Sequence, residues 1–254
     1  IVKEMKEPFL FKLTWPEVEE YLKKNEIVLF PTGSTEQHGK HLAEDNDAFT
    51  ALEISKRVAE KTGVLVAPVM PFGYSPHHMG FPGSITLSLE TLVAVYKEVC
   101  KSLMKHGFKK IVIMNAHGGN QNAISETLRQ LKEDTGTTVY TLMVFPSSRG
   151  FGAKAVKETI ETSGGHADEL ETSVVLYLGQ RVLSEKAEKG VPPASLSDFR
   201  RKYTGEVSTA RDFHEITVSG SLGDPTLASK EKGRKLVEAV VDEIAAFIED
   251  LKKQ

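Results

Sequence analysis

The sequence predicts an α/β fold: a three-layer α/β/α sandwich with helices on both faces of a mostly parallel sheet. Two observations carry that expectation. Short apolar runs alternate along the chain with longer amphipathic stretches. The early runs also end on breakers, Pro31 after residues 27–30 and Pro68 and Pro71 after residues 64–67, as suits short buried strands.

Taken in order, Thr14-Trp15-Pro16-Glu17 has capping-box spacing, and Val18, Tyr21 and Leu22 follow at helical intervals. Trp15 is expected to anchor the start of that helix. Residues 27–30 read as a buried strand, 48–61 as a helix stopped by Gly63, and 64–67 as the next strand. Ser88 caps a helix that runs to about His106, with Gly107 beyond it and His106 complementing the helix dipole. A strand at 111–114, a helix at 120–134 and a strand at 139–145 continue the alternation. Residues 166–178 read as a further helix and 230–251 as a closing amphipathic one. Between them, residues 183–228 are rich in Gly, Pro and Ser and read as an edge extension of a single domain spanning 1–254.

Composition narrows the function classes. With 40% hydrophobic and 26% charged residues the chain has ample material for a large core. A formal net charge of −3, with Lys and Arg scattered among acids, argues against nucleic acid as a partner. No apolar run approaches the roughly 20 residues of a membrane span, so no membrane partner is expected. Cys100 is the sole cysteine, which excludes an intrachain disulfide and a thiolate metal cluster, so any metal must be held by His, Asp and Glu. It lies inside a predicted helix without an adjacent base and reads as a buried, neutral thiol. No secretory segment opens the chain, and a cytoplasmic setting is the expectation.

Three constellations carry chemistry. Gly33-Ser34-Thr35-Glu36-Gln37-His38-Gly39-Lys40-His41, followed by Asp47, lies directly after the first strand. In an extended segment Glu36 and His38 project to one side while Gln37 faces away. A carboxylate and an imidazole converging in this way suit a borderline divalent cation such as zinc, manganese or iron, and Asp47 could bridge two ions. Asn115-Ala116-His117-Gly118-Gly119-Asn120 places His117 at the carboxyl end of another strand, where open parallel sheets bind their ligands. His166-Ala167-Asp168-Glu169-Leu170-Glu171 is the third; on a helix, His166 and Glu169 would share a face and Glu171 would point away. His41 reads as an orienting residue of the first loop, His214 as a surface residue, and His77 and His78 as loop residues within reach of substrate.

Residues 33–47, 115–120 and 166–173 resemble, in order and separation, the three signatures of the creatininase family. Phe81-Pro82-Gly83-Ser84-Ile85-Thr86-Leu87 is similar to a fourth family segment. The resemblance implies a creatininase-like sandwich and a metal-dependent amidohydrolase with two divalent ions per chain, zinc foremost, with manganese or iron as alternatives. Glu36 and His117 would belong to one metal and His38 to the other, with Asp47 bridging. The family glutamate two residues after the second-motif histidine is replaced by Gly119, and Glu169 is expected to stand in for it. His166 would be catalytic, with Glu169 sharing proton handling. A small-molecule amide, cyclic or a formamide, is the expected substrate, attacked by water that the metals activate. The resemblance also implies a homo-oligomer, a hexamer in the family pattern.

No tryptophan follows Trp15, which disfavours creatinine, since that substrate is boxed by aromatic gates in creatininase itself. The family also includes an archaeal deformylase of a formylamino-pyrimidine nucleotide, in flavin and deazaflavin biosynthesis, and a peptidase. Gly118 and Gly119 open up the second motif and suit such larger substrates, and the polar, cationic loop Ser147-Ser148-Arg149 could receive a phosphate. A non-catalytic metal-binding protein on the same scaffold is the reading from another class. No Gly-x-Ser-x-Gly elbow or phosphate-binding loop offers a third.

Overall fold

Strands β1 (Ile27–Thr32), β2 (Leu65–Val66), β3 (Lys110–Asn115) and β4 (Tyr140–Met143) pair in the order β2-β1-β3-β4, all parallel. They belong to a computed structural model that describes residues 7–162, 164–193, 202, 207 and 209–254. Thr32 lies opposite Asn115, and Asn115 opposite Met143, so three strands end level and the loops leaving them start side by side.

Seven α-helices surround the sheet among the described residues: α1 Trp15–Leu22, α2 Asn46–Thr62, α3 Leu89–Lys105, α4 Gln121–Thr135, α5 Ala153–Thr159, α6 Glu169–Leu178 and α7 Lys230–Leu251. Alternate strand residues feed two separate cores. Leu29, Val112 and Met114 meet Ile54 and Val58 of α2, Val174 of α6 and Val240 and Ile244 of α7. On the opposite face Val28, Phe30, Ile111 and Ile113 meet Leu92 and Tyr96 of α3 and Ile124 and Leu131 of α4. Both faces of the sheet are covered, giving the three layers that the alternation of runs implies. No helix among the described residues is long and apolar enough to cross a membrane.

The local signals mostly act where the sequence puts them. Thr14 and Glu17 form the capping box of α1, Ser88 accepts from Thr91 N at the start of α3, and Gly63 and Gly136 close α2 and α4 in the left-handed conformation. Cys100 is fully buried in α3, and burial pushes its thiol up to about 12. Three local expectations fail. β1 does not stop at Pro31 but runs through it to Thr32, Pro31 lying opposite Met114 and its carbonyl accepting from Met70 N. Trp15 is 77% exposed at the first position of α1, because the half-buried stripe of this short helix, Val18, Tyr21 and Leu22, begins three residues later, so the indole does not anchor the helix to the core. The helix expected from His166 starts only at Glu169. Ala167 has φ +46°, a left-handed turn, and Asp168 is the N-cap, accepting from Leu170 N and Glu171 N. His166 is thereby held outside the helix, its backbone bridged to Leu222. The edge extension returns to the sheet ends through that bridge; residues 194–201, 203–206 and 208 of it lie outside the described residues.

Candidate metal centre

The site is built on the level ends of β1 and β3. Gly33 lets β1 turn against the start of α2, because a Cβ there would lie 2.4 Å from Ala48 N. The loop that follows is folded back by Glu36 N donating to Glu44 O at 2.9 Å, and it delivers Asp47 in the first turn of α2. After β3, Asn115 braces the next loop from both sides: its Nδ2 donates to His117 O and its Oδ1 accepts from His117 N. Asn120 Nδ2 donates to Gly33 O at 2.9 Å and ties the two loops together.

Asp47 is the hub. Its Oδ1 lies 3.0 Å from His38 Nε2, and its Oδ2 lies 3.2 Å from His117 Nδ1 while accepting from Ser34 Oγ at 2.7 Å. Glu36 Oε2 is 3.3 Å from His117 Nε2 and accepts from Ser75 Oγ; its Oε1 is 3.3 Å from His78 Nε2 and 3.8 Å from His166 Nδ1. Glu171 Oε2 is 3.8 Å from His38 Nε2 and accepts from Ala167 N at 2.6 Å. Two ligand-type sets result, Glu36/Asp47/His117 and His38/His166/Glu171, and within each the ligand atoms all lie within 4.8 Å of one another. A third set, Glu36/His78/His166, overlaps both.

The histidines are oriented as ligands usually are. His38 Nδ1 meets Glu36 O at 3.0 Å, His166 Nε2 meets Gln37 O at 2.8 Å, and His117 Nε2 meets Tyr74 O at 3.0 Å. In His38 and His166 a ring N–H given to the carbonyl turns the opposite nitrogen toward the carboxylates, whereas His117 meets Asp47 through Nδ1 and Glu36 through Nε2. Nitrogen and carboxylate donors without sulfur fit a borderline divalent ion such as zinc, manganese or iron.

Charge is tightly shared in this cluster. Burial alone would push His38 down, but Asp47, Glu171 and Glu36 together raise it to about 10. Burial likewise opposes protonation of His117, and Glu36 and Asp47 override it. Glu36 and Asp47 are buried too, which disfavours their charge, yet the neighbouring histidines hold both below the usual carboxylate range. Glu171 goes the other way, raised by burial to about 8 with only partial relief from His38. Burial and then the positive field of His38 push His166 well down, so it stays a neutral imidazole. Protons on His38 and His117 thus balance acids that a cation could balance instead.

The structure brings Glu36, His38, Asp47, His117 and His166 together and leaves Glu169 out. Glu169 is fully buried on the far side of the α6 start, where its carboxylate accepts from Thr162 N at 2.8 Å and from Lys232 Nζ at 2.6 Å. Spacing within a helix misplaces it because His166 is not helical. Glu171, expected to point away, turns back over Ala167 and reaches His38. Gln37 does not face away either: its Nε2 lies 3.0 Å from both His78 Nδ1 and His166 Nε2. His78 and Phe213 lie outside the three constellations, yet Phe213 stacks on His78 at 4.0 Å and packs edge-on to His166 at 4.6 Å. The His77-His78 pair ahead of the Phe-Pro-Gly turn is a signal for the first; nothing local marks Phe213. His41 is buried against Thr172 Oγ1 rather than any carboxylate, and His214 is exposed. Gly119 is required as it stands, since a Cβ there would meet His117 Nε2 and Tyr74 O, each at 2.3 Å.

A parallel α/β sandwich with buried, overlapping His and carboxylate sets at its strand ends has the build of a metal-dependent hydrolase scaffold. The family model for creatininase, described as creatinine amidohydrolase, matches residues 12–248, and the chain belongs to the creatininase family. It is 29% identical to the creatinine amidohydrolase of Pseudomonas putida, over 96% of this chain and 97% of that protein. It is 30% identical to the mycofactocin precursor peptide peptidase of Mycobacterium ulcerans, over 92% and 85% of the two chains. Solved creatininases in a manganese form and in a zinc–zinc form (the latter a point mutant) superpose with TM-scores of 0.81, at 27% and 26% identity, over 98% of this chain and all of theirs.

Proposed function

We propose that this chain is a binuclear metal-dependent amidohydrolase that hydrolyses the C–N bond of a cyclic amide or formamide. The observation that carries the reading is Asp47, whose two oxygens face His38 and His117 in two different ligand-type sets. Glu36, His117 and Asp47 would hold one ion; His38, Glu171 and Asp47 would hold the other, zinc being the first choice. Bound divalent ions supply Lewis acidity, lowering the pKa of a coordinated water and polarising a carbonyl oxygen.

The side chains account for the rest. His166, neutral and anchored through Nε2 to Gln37 O, presents Nδ1 to the cluster, where it can take a proton from the attacking water and pass it to the departing nitrogen. The overall change is one water consumed and one C–N bond broken, giving an acid and an amine as two products from a formamide and on one ring-opened molecule from a cyclic amide. Phe213 and His78 wall the site and restrict bulk water. A formamide substrate, as in the family's deformylases, is the narrower alternative, and metal binding without turnover is the rival.

Elemental analysis of protein purified without chelator, joined to a screen of formamides and cyclic amides, tests the reading. About two ions per chain with amide turnover that His166→Ala abolishes while the ions remain would support it. A metal-loaded protein inert to every amide would move the non-catalytic reading ahead, and a single ion after reconstitution would sink the binuclear one.

A further inference from the structure

Resting on that hydrolytic reading, we infer that the enzyme takes an extended amide whose apolar arm fills a trough beside the metal centre and ends in a carboxylate. The cavity over the ligand-type cluster is small, about 240 Å³. It adjoins a second cavity of about 440 Å³, and Ala116, Gly118, Gly165 and Glu171 line both. Gly118 makes the opening: a Cβ there would meet nothing within 4 Å, so the passage is bounded by backbone on that side. Glu171 stands at the junction. A substrate carbonyl placed at the cluster therefore has its continuation directed into the trough.

The lining gives the chemical class. Met143, Phe145, Val156, Ile160 and Leu170 make the walls apolar. Ser147, Ser148 and Lys157 line the same cavity. Glu161 and Asp168 line it too; Glu161 shares Lys232 with Glu169, at 2.8 and 2.6 Å, and Asp168 accepts from the N–H groups of Gly164, Gly165, Leu170 and Glu171. Lys157 is exposed and has no carboxylate within 4.0 Å among the described residues, so it is the one cation of the lining and is free to pair with an anionic group of a ligand. An apolar arm with an anionic end matches both features, whereas a small neutral ring would fill the first cavity and leave the second empty. Sites of this combined size commonly take ligands larger than a single ring.

The test uses the metal-loaded full chain and four probes. Adipamic acid and 6-formamidohexanoic acid carry a carboxylated arm on the acyl or the amine side of the amide; hexanamide lacks the charge and acetamide lacks the arm. We expect kcat/KM for the better carboxylated probe to exceed that for acetamide by about a hundredfold, from burial of the arm. Lys157→Ala should lower it about tenfold while leaving hexanamide within about twofold. Calorimetric titration with the two carboxylated probes reads the trough independently of chemistry. Binding that weakens in Lys157→Ala without turnover of any probe would keep the trough and overturn the hydrolase. Equal kcat/KM for acetamide and both carboxylated probes, with binding unaffected by Lys157→Ala, would overturn the trough and keep the hydrolase.

Discussion

Glu169 and Glu171 leave the same turn of α6 two residues apart and meet opposite surroundings. Glu169 is sealed in with donors: Thr162 N, Glu161 N and the Lys232 ammonium reach its two oxygens. Burial works against its charge, but Lys232 and those N–H groups more than offset it and hold the carboxyl below its ordinary range. Glu171 receives one backbone N–H, from Ala167, and otherwise faces a crowd in which Asp47 and Asp168 add to the burial that raises it to about 8. An acid already supplied with donors is a structural rivet. An acid left short of positive charge beside imidazoles is where a cation gains most.

The most severe disturbance of this contrast is at Asp47, which belongs to the Glu36/Asp47/His117 set and also faces His38 of the other. Asp47→Asn keeps the shape and removes the charge that both histidines face. Bound metal should fall to one ion per chain or none, and turnover should vanish, while circular dichroism stays native. Retention of both ions, measured by elemental analysis, would show that Asp47 does not bridge.

The next pair of variants attacks the comparison itself. Glu171→Gln should lose one ion and lower kcat by about 10²-fold or more, with little change in thermal stability. Glu169→Gln should keep metal and most activity per folded molecule but lose about 2–3 kcal/mol of stability, because Lys232 is left without its buried partner. Reversed results, with metal lost in the Glu169 variant and kept in the Glu171 variant, would mean that the two roles are assigned the wrong way round. Gly119→Ala should fall between them: its Cβ must displace the His117 ring or the Tyr74 carbonyl, so metal affinity drops before stability does. Isothermal titration with zinc after chelation reads that drop.

The same contrast explains what is legible in the sequence. The strands that carry the site are legible because apolar runs locate β1 and β3, although β1 runs on through Pro31 to Thr32, and their level ends bring Glu36, Asp47 and His117 together. The third segment is half legible. Its residue types are right, but helical spacing assumes a regular start, and a single left-handed residue, Ala167, shifts the helix past His166 and exchanges the roles of the two glutamates. Nothing in the residue types signals an alanine at positive φ; the conformation is held by the surroundings, including the Ala167 N–H given to Glu171 and the Leu222 pairing of His166. Gln37 and His78 escape for another reason. Each reaches the cluster through contacts between segments about forty or more residues apart, which no local period encodes.

The smallest effect is expected at Trp15, and it sharpens the rule that donor and acceptor supply, not residue type, decides what matters. A lone tryptophan invites a structural role, yet this one is 77% exposed, while its neighbours Thr14 and Glu17 exchange the hydrogen bonds that start α1. Trp15→Ser should therefore change stability by no more than about 0.5 kcal/mol. Thr14→Ala, which removes the cap, should cost about 1 kcal/mol. Urea unfolding of both variants at fixed metal loading measures the difference. A Trp15→Ser loss larger than that of Thr14→Ala would show that the indole face is covered in solution, by a second copy of the chain or by another partner, and dilution would separate the two, since only self-association weakens as the protein alone is diluted.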